Sequence, residues 1–116
     1  MTVDLEEVRR TLGDQRDRLR REIGDQGIDP DSEDFVADLE RGFADGAHTA
    51  AERGQAITIV RELRSGLADV ERALGKLDRN DGTYGICERC GNPIGADRLE
   101  AIPWTRLCIT CKQAAR

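Results

Sequence analysis

Four cysteines near the end of the sequence constrain the fold more than any other feature. Cys87 and Cys90 form one C-x2-C pair, and Cys108 and Cys111 form a second pair after seventeen intervening residues. Each pair can hold one side of a tetrahedral ion, with metal–sulfur distances of about 2.3 Å. Four thiolates fill the coordination sphere of Zn²⁺, so the pattern predicts one structural zinc site without a reactive water. Iron is the main competing metal for four thiolates.

The redox interpretation of these cysteines has less support. Two redox C-x2-C motifs would need a βαβ context, which the sequence lacks. Residues 1–7 contain neither a basic start nor an apolar run, and nothing further along predicts a membrane span. We therefore predict a cytoplasmic protein. In that reducing compartment, four closely spaced thiols are metal ligands more often than disulfides.

The remainder of the chain offers little material for a globular core. Aromatic residues make up 3% of the 116 residues and charged residues 35%. Aliphatic residues interspersed with charges suit long helices packed along narrow seams, with a metal cluster replacing part of the core. The formal net charge of −5 argues against non-specific DNA binding, which needs cationic side chains on phosphates. It favours a partner with a basic surface.

Heptad-like spacing of apolar residues predicts two long helices. The first runs from Thr2, its expected N-cap, to about Gly24, where Gly24 and Gly27 weaken and then end it. The second runs from Ala47 to about Arg79 and stops at Asn80. The two apolar seams consist of Leu5, Val8, Leu12, Leu19 and Ile23 in the first helix, and of Val60, Leu63, Leu67, Val70, Leu74 and Leu77 in the second.

A compact connector between two such helices predicts an antiparallel coiled-coil hairpin, although the seams alone also allow an intermolecular coiled coil. Within the connector, Asp29-Pro30 is the expected start of a short helix that carries Phe35, Val36, Leu39 and Phe43 on one face. Residues 44–47 read as a turn, so the tip of the hairpin is expected near 44–48. The sequence thus predicts a mainly α chain with two domains, a helical hairpin over residues 1–80 and a four-cysteine zinc finger over 81–116.

Several side chains near the cysteines have two interpretations. Ile102, Trp104 and Tyr84 are expected to pack beneath the metal loops, with a surface-exposed binding Trp as the alternative. Four cations can screen the negative unit of four thiolates and zinc or form a nucleic-acid surface: Arg89, Arg98, Arg106 and Lys112. The acidity of the whole chain favours screening. His48, the single histidine, lies far from the cysteines in the sequence and is not expected to bind the metal.

The motif residues resemble the DksA/TraR family of C4 zinc-finger proteins. The matching runs are Gly82-Thr-Tyr-Gly-Ile-Cys87-Glu-Arg-Cys90-Gly-Asn-Pro-Ile-Gly, Arg98-Leu-Glu-Ala-Ile-Pro, and Leu107-Cys108-Ile-Thr-Cys111-Lys. The resemblance is dense over residues 82–112 and extends upstream into the helix before Gly82, whereas the first forty residues match only in helical character. The run from Ile102 to Cys108 suggests an actinobacterial member.

This resemblance implies a transcription regulator that binds RNA polymerase directly rather than DNA. A coiled-coil hairpin similar to the family's would enter the secondary channel of the polymerase and carry acidic residues at its tip. The family acts on the stability of promoter complexes, often together with the nucleotide ppGpp, so ppGpp is a second expected partner. A thin rod with a charged end suits a narrow channel, in agreement with the acidic composition.

The expected tip departs from the family pattern. The family has two acids three residues apart and an alanine two residues after the second acid. Asp45 and Ala47 match the second acid and the alanine, but Gly42 stands where the first acid is expected. In a shifted register, Asp45 is the first acid and His48 occupies the second position. One tip acid is missing in either register, and Asp45 can also be read as a solvated turn residue.

Three rival functions remain at this point. The chain can be a zinc-stabilised protein–protein interaction module without channel activity, or a nucleic-acid-binding zinc protein. An enzyme has little support, because the sequence shows no nucleophile–base pair, no phosphate loop and no open metal site. We therefore predict a non-enzymatic regulator.

Overall fold

The computed structural model describes residues 3–44, 46 and 48–115. These residues form five helices and no strand, apart from one isolated bridge between Ile86 and Pro93. The helices are α1 (Leu5–Asp25), α2 (Phe35–Gly42), α3 (Ala50–Arg79), α4 (Ala96–Ala101) and α5 (Ile109–Ala114). The predicted mainly α class is confirmed. No described helix is both long and apolar enough to cross a lipid bilayer.

The chain divides into two compact units. One combines Met1–Arg16 with Ala68–Arg116, and the other is Asp17–Leu67. The first unit contains the cysteines together with the beginning of α1 and the end of α3, and the second contains the connector. The predicted domains, 1–80 and 81–116, follow the order of the chain instead and stay a prediction.

Local hydrogen bonds determine both ends of α1. Asp4 Oδ1 accepts from the backbone N–H groups of Glu6, at 3.1 Å, and Glu7, at 3.3 Å, so Asp4 caps the helix. Thr2, the predicted cap, lies outside the described residues. At the other end Gly27 adopts a φ of +81° and donates to Gly24 O at 2.9 Å. Gly27 therefore ends the helix as predicted, through the left-handed turn that glycine adopts without steric cost.

The connector helix α2 begins five residues later than predicted. Asp29 Oδ1 accepts from the backbone N–H of Asp31 at 2.9 Å, and Asp29 O accepts from Ser32 N at 3.0 Å. Asp29-Pro30 thus forms a local turn, because the aspartate side chain satisfies the backbone there. The cap of α2 is Asp34, which accepts from Ala37 N at 3.1 Å. Of the predicted apolar face, Leu39 is buried, while Phe35, Val36 and Phe43 are half-buried.

We expect Asp34→Ala to destabilise α2 by about 1 kcal/mol, because an alanine N-cap leaves helical N–H groups unpaired. Hydrogen exchange of the α2 amides and the denaturant midpoint would both report this change. Glu33→Ala is the matched control, since Glu33 is an exposed neighbouring acid outside the cap. An equal effect of the two substitutions would contradict the role of Asp34.

The seam of α3 is buried as predicted. Val60, Leu67, Val70, Leu74 and Leu77 are all at most 9% exposed, and Leu63 is half-buried. The helix ends at Arg79, where Asn80 takes a φ of +51° and donates to Lys76 O at 3.3 Å. Asparagine is among the few non-glycine residues that tolerate this left-handed conformation.

Segments of α1 pack against segments of α3 within each unit. In the cysteine-containing unit, Arg9 forms an ion pair with Asp78. In the connector-containing unit, the side chain of Leu19 lies against Gly66, 3.7 Å from where a Cβ would stand. Early residues of α1 thus meet late residues of α3, and the predicted antiparallel hairpin forms within one chain.

Leu5 does not join the seam, contrary to the prediction. Its side chain is 49% exposed, whereas Val8 and Leu12 are buried. Arg9 already lies beside Asp78, so the position facing Leu5, one turn earlier in α1, falls beyond the end of α3 at Arg79. The heptad pattern of α1 therefore begins one position, Leu5, before the part of the helix that packs against α3.

Candidate metal centre

A tight backbone loop presents the first pair of cysteines. Ile94 N donates to Gly85 O at 2.8 Å, and Cys87 N donates to Asn92 O at 2.9 Å, so the chain folds back on itself around the pair. At its turn Gly91 has a φ of +77° and donates to Cys87 O at 3.0 Å. The loop aims the Cys87 and Cys90 thiols at the same side.

The beginning of α5 presents the second pair. Cys108 is the N-cap of this helix, and its Sγ accepts from Cys111 N at 3.5 Å. One backbone bond joins the two pairs, because Glu88 N donates to Arg106 O at 2.9 Å. Both halves of the site are therefore held by the backbone itself.

The four sulfur atoms lie at the separations that a tetrahedral ion requires. All four Sγ atoms are within 4.8 Å of one another, and Cys90 Sγ is 3.8 Å from Cys108 Sγ. A tetrahedron with metal–sulfur distances of about 2.3 Å has sulfur–sulfur edges of about 3.8 Å. Cys87 and Cys111 are buried, 2% and 9% exposed. The donor set thus fits Zn²⁺. Among the described residues, no His, Asp or Glu side chain joins the four cysteines as a further ligand.

The electrostatics of the thiols favour a bound cation. Backbone N–H groups, that of Cys108 foremost, lower the pKa of Cys87 to about 6. Burial, followed by the neighbouring thiols, raises the pKa of Cys111 to about 12. Four sulfurs at these distances cannot all ionise by themselves, whereas Zn²⁺ stabilises all four thiolates together.

A small apolar cluster supports the site. Its buried members are Cys87, Cys111, Ile94 and Leu99, and Tyr84 packs against them as predicted. The Tyr84 hydroxyl donates to Pro103 O at 2.9 Å, and burial raises its pKa to about 12. The tyrosine therefore stays a neutral donor at physiological pH.

Ile102 and Trp104 were expected beneath the metal loops, but both are half-buried and Ile94 and Leu99 supply the buried aliphatic side chains. The reason lies in α4, which ends at Ala101 and directs Leu99 towards the cysteines. Leu99 also explains Gly85, which has a φ of +85°. A Cβ on that residue would stand 3.1 Å from Leu99 Cδ1.

Three of the four predicted screening cations are engaged within the cysteine-containing unit. Arg98 Nε donates to Leu107 O, next to the ligand Cys108, at 3.0 Å, and Arg89 donates to the carbonyl of the ligand Cys111 at 3.4 Å. Arg106 forms an ion pair with Asp69 of α3 at 3.1 Å. Lys112 is exposed on α5. This arrangement matches screening better than a nucleic-acid surface.

Glu88 is a site residue that the sequence reasoning missed. It lies between the ligands Cys87 and Cys90, and its Oε2 accepts from Arg72 at 2.6 Å and from Lys76 at 2.7 Å. The Arg72 guanidinium, followed in effect by the Lys76 ammonium, lowers the pKa of Glu88 to about 2. The available signal was Lys76 on the seam side of α3, next to Leu77, because a buried lysine needs an acidic partner.

The predicted tip is described only in part. Asp45 and Ala47 lie outside the described residues, while Gly46 has a φ of +74° and donates to Phe43 O at 3.0 Å. His48 stacks edge-on against Phe43, with ring centroids 4.9 Å apart, and its Nδ1 is 3.4 Å from Glu52 Oε2. These contacts, and not the cysteines, engage the histidine.

Comparison with known proteins identifies the family. Residues 82–116 match the family described as the prokaryotic dksA/traR C4-type zinc finger. The RNA polymerase-binding transcription factor DksA of Escherichia coli is 33% identical over 114 residues, covering 96% of this chain and 70% of that protein. The chain belongs to the DksA/TraR family. Its C4 finger and the clustered thiols identify the metal as one structural zinc ion.

Two further relatives and one solved structure are also similar to this chain. General stress protein 16O of Bacillus subtilis is 49% identical over 51 residues, which cover 44% of this chain. An uncharacterised protein of Aquifex aeolicus is 53% identical over 47 residues. These two alignments span only 28% and 31% of the respective relatives. The structure of transcription factor DksA2 from Pseudomonas aeruginosa superposes with a TM-score of 0.65 at 28% identity, covering 95% of this chain and 81% of that one.

Proposed function

We propose that the chain is a non-enzymatic transcription regulator that binds RNA polymerase and inserts its hairpin tip into the secondary channel. The observation that carries this proposal is the similarity to the RNA polymerase-binding factor of Escherichia coli along 96% of the chain, helices included. Similarity confined to the zinc finger would support only a shared metal site. We extend the proposal to ppGpp as a partner that acts together with the protein.

Charge supports a polymerase partner over nucleic acid. The net charge of −5 opposes approach to phosphates, while a channel lined by cations would attract an acidic rod. Within the finger, Arg89 and Arg98 already donate to backbone carbonyls at or next to the metal ligands. These bonds hold both side chains against the finger's own backbone, and the whole chain is acidic, so salt-dependent DNA binding is not expected.

The first experiment is a pull-down of core RNA polymerase with the zinc-loaded protein, with and without a known secondary-channel competitor. We expect binding that the competitor abolishes. Binding that persists with the competitor present would place the contact outside the channel. Absence of binding would favour the second candidate, an interaction module held together by zinc, which the ion pairs between finger and α3 also suit.

We expect Asp45→Asn to reduce the effect on promoter-complex lifetime at least about tenfold, with the fold and zinc content unchanged. One charge-assisted hydrogen bond contributes about 1.5–3 kcal/mol, and about 1.4 kcal/mol corresponds to a factor of ten. Glu62→Gln is the matched control, because Glu62 is an exposed acid in the middle of α3. We expect the control to keep the wild-type effect. If Asp45→Asn also retains it, the tip is wrongly assigned.

A further inference from the structure

The side chain of Glu88 joins the metal loop to α3. It extends from the loop between Cys87 and Cys90, and its Oε2 accepts from both Arg72 and Lys76. The two cations are four residues apart, so they project from the same side of the helix. Glu88 itself is 23% exposed at its side chain. A single carboxylate oxygen therefore anchors the first pair of zinc ligands to the helix.

Lys76 is the partner of Glu88 that most needs this contact. Its side chain is 9% exposed, and its ammonium lies 2.7 Å from Glu88 Oε2. Arg72 has the larger effect on the pKa of Glu88, but its side chain is 55% exposed and can turn to solvent, so it does not need the carboxylate. A buried ammonium has no such alternative, so it depends on the carboxylate that the metal loop supplies.

The second pair of ligands is attached to the same helix in a parallel manner. Arg106 stands two residues before Cys108 and pairs with Asp69 at 3.1 Å. Its carbonyl accepts from Glu88 N at 2.9 Å. The backbone bond between Glu88 and Arg106 therefore joins the two ligand pairs, and their side chains attach both pairs to α3. When the four thiolates close around the ion, both side chains are positioned against the helix together.

We infer that Glu88 is a positioning residue that couples zinc binding to the order of the zinc-side end of α3, defined here as residues 69–79. With zinc bound, the loop holds the carboxylate beside Lys76. Without zinc, the loop loses its cross-link and the ammonium loses its fixed partner. Coupling of this kind is reciprocal, so whatever the metal contributes to the helix end, the helix end contributes to zinc affinity.

The sign of the effect separates this role from a purely electrostatic one. Four neutral thiols and Zn²⁺ become a unit of net charge −2 when the protons leave. A nearby carboxylate repels that unit, so deleting the charge of Glu88 would raise zinc affinity if charge alone mattered. A positioning role predicts the opposite, namely weaker binding.

The test is a zinc competition titration of the full chain against a chromophoric chelator. We expect Glu88→Gln to weaken zinc binding about tenfold, in the range found for side chains that support metal ligands. In a Lys76→Met background, which has no buried ammonium to satisfy, the same substitution is expected to cost less than about threefold. Glu100→Gln, in an exposed acid of the same finger, is the control and leaves zinc affinity unchanged.

Hydrogen exchange provides a second readout, in which the charge of Glu88 is kept and zinc is removed instead. Removing zinc from the wild type with a chelator is expected to reduce protection of the amides in residues 69–79 at least about tenfold, because the coupling that Glu88 carries acts on the helix end as well as on zinc affinity. In Lys76→Met the loss is smaller. The inference is overturned if Glu88→Gln raises zinc affinity, if it costs the same factor in both backgrounds, or if zinc removal affects wild type and Lys76→Met equally.

Discussion

Cys108→Ser is expected to abolish stoichiometric zinc binding and to unfold the finger. A serine hydroxyl does not ionise near neutral pH, so the site would keep only three thiolates. Structural zinc contributes about 10–16 kcal/mol in small zinc domains, which is as large as the total stability of a typical domain. Beneath the metal, the apolar cluster around Ile94 and Leu99 is too small to replace that contribution. Cys108 is also the N-cap of α5, so the substitution weakens that helix at its first turn.

Zinc content per chain and far-ultraviolet circular dichroism would measure this prediction together. Thr110→Ala is the matched control, because Thr110 is an exposed neighbour on α5 and is no ligand. We expect the control to retain one zinc ion and the wild-type melting curve. A Cys108→Ser protein with one zinc per chain and an unchanged melt would disprove the structural role of the site.

Leu12→Ala is expected to destabilise the zinc-loaded protein by about 2–5 kcal/mol. The Leu12 side chain is fully buried at 0% exposure, so truncation removes apolar contacts and leaves a cavity that the helices fill only in part. Aromatic residues make up only 3% of the chain, so few large side chains other than the aliphatic ones contribute to the buried apolar surface. Each buried leucine of the seam therefore represents a large part of the total stability.

Denaturant unfolding at saturating zinc would measure the loss, with Leu5→Ala as the control in the same helix. Leu5 is 49% exposed, and we expect its truncation to cost less than about 1 kcal/mol. Equal losses for the two variants would mean that Leu5 packs in solution as the heptad pattern predicts. Equal losses would also mean that α3 continues beyond Arg79 and packs against Leu5.

A large part of this protein was predictable from the sequence for physical reasons that are local. The zinc ligands follow from spacing alone, since each C-x2-C pair supplies two of the four thiolates that surround a tetrahedral ion. The seam of α3 follows from a repeat of three and four residues, which places Val60 through Leu77 on one side of any helix. Gly27 and Asn80 ended their helices as expected, because each tolerates a left-handed backbone.

The mistakes arose where competing local hydrogen bonds or neighbours in space decide the outcome. Asp29 and Asp34 are both good caps, and the choice of Asp34 depended on how the turn at Asp29 satisfied its own backbone. Leu5 obeyed the repeat but lost its partner because α3 ends first. Trp104 is the largest side chain close to the cysteines in the sequence, yet Leu99 reached the cluster from α4.

The sequence by itself determined the metal, its ligands, the helical class and the family, because each depends on spacing along one segment. Only the tertiary structure revealed that the metal loop is anchored to α3 through Glu88 and Lys76, which are twelve residues apart and separated by a helix end. No periodicity encodes such a pair. A charge between two ligands and a lysine on α3 become partners only when the loop folds back over the helix.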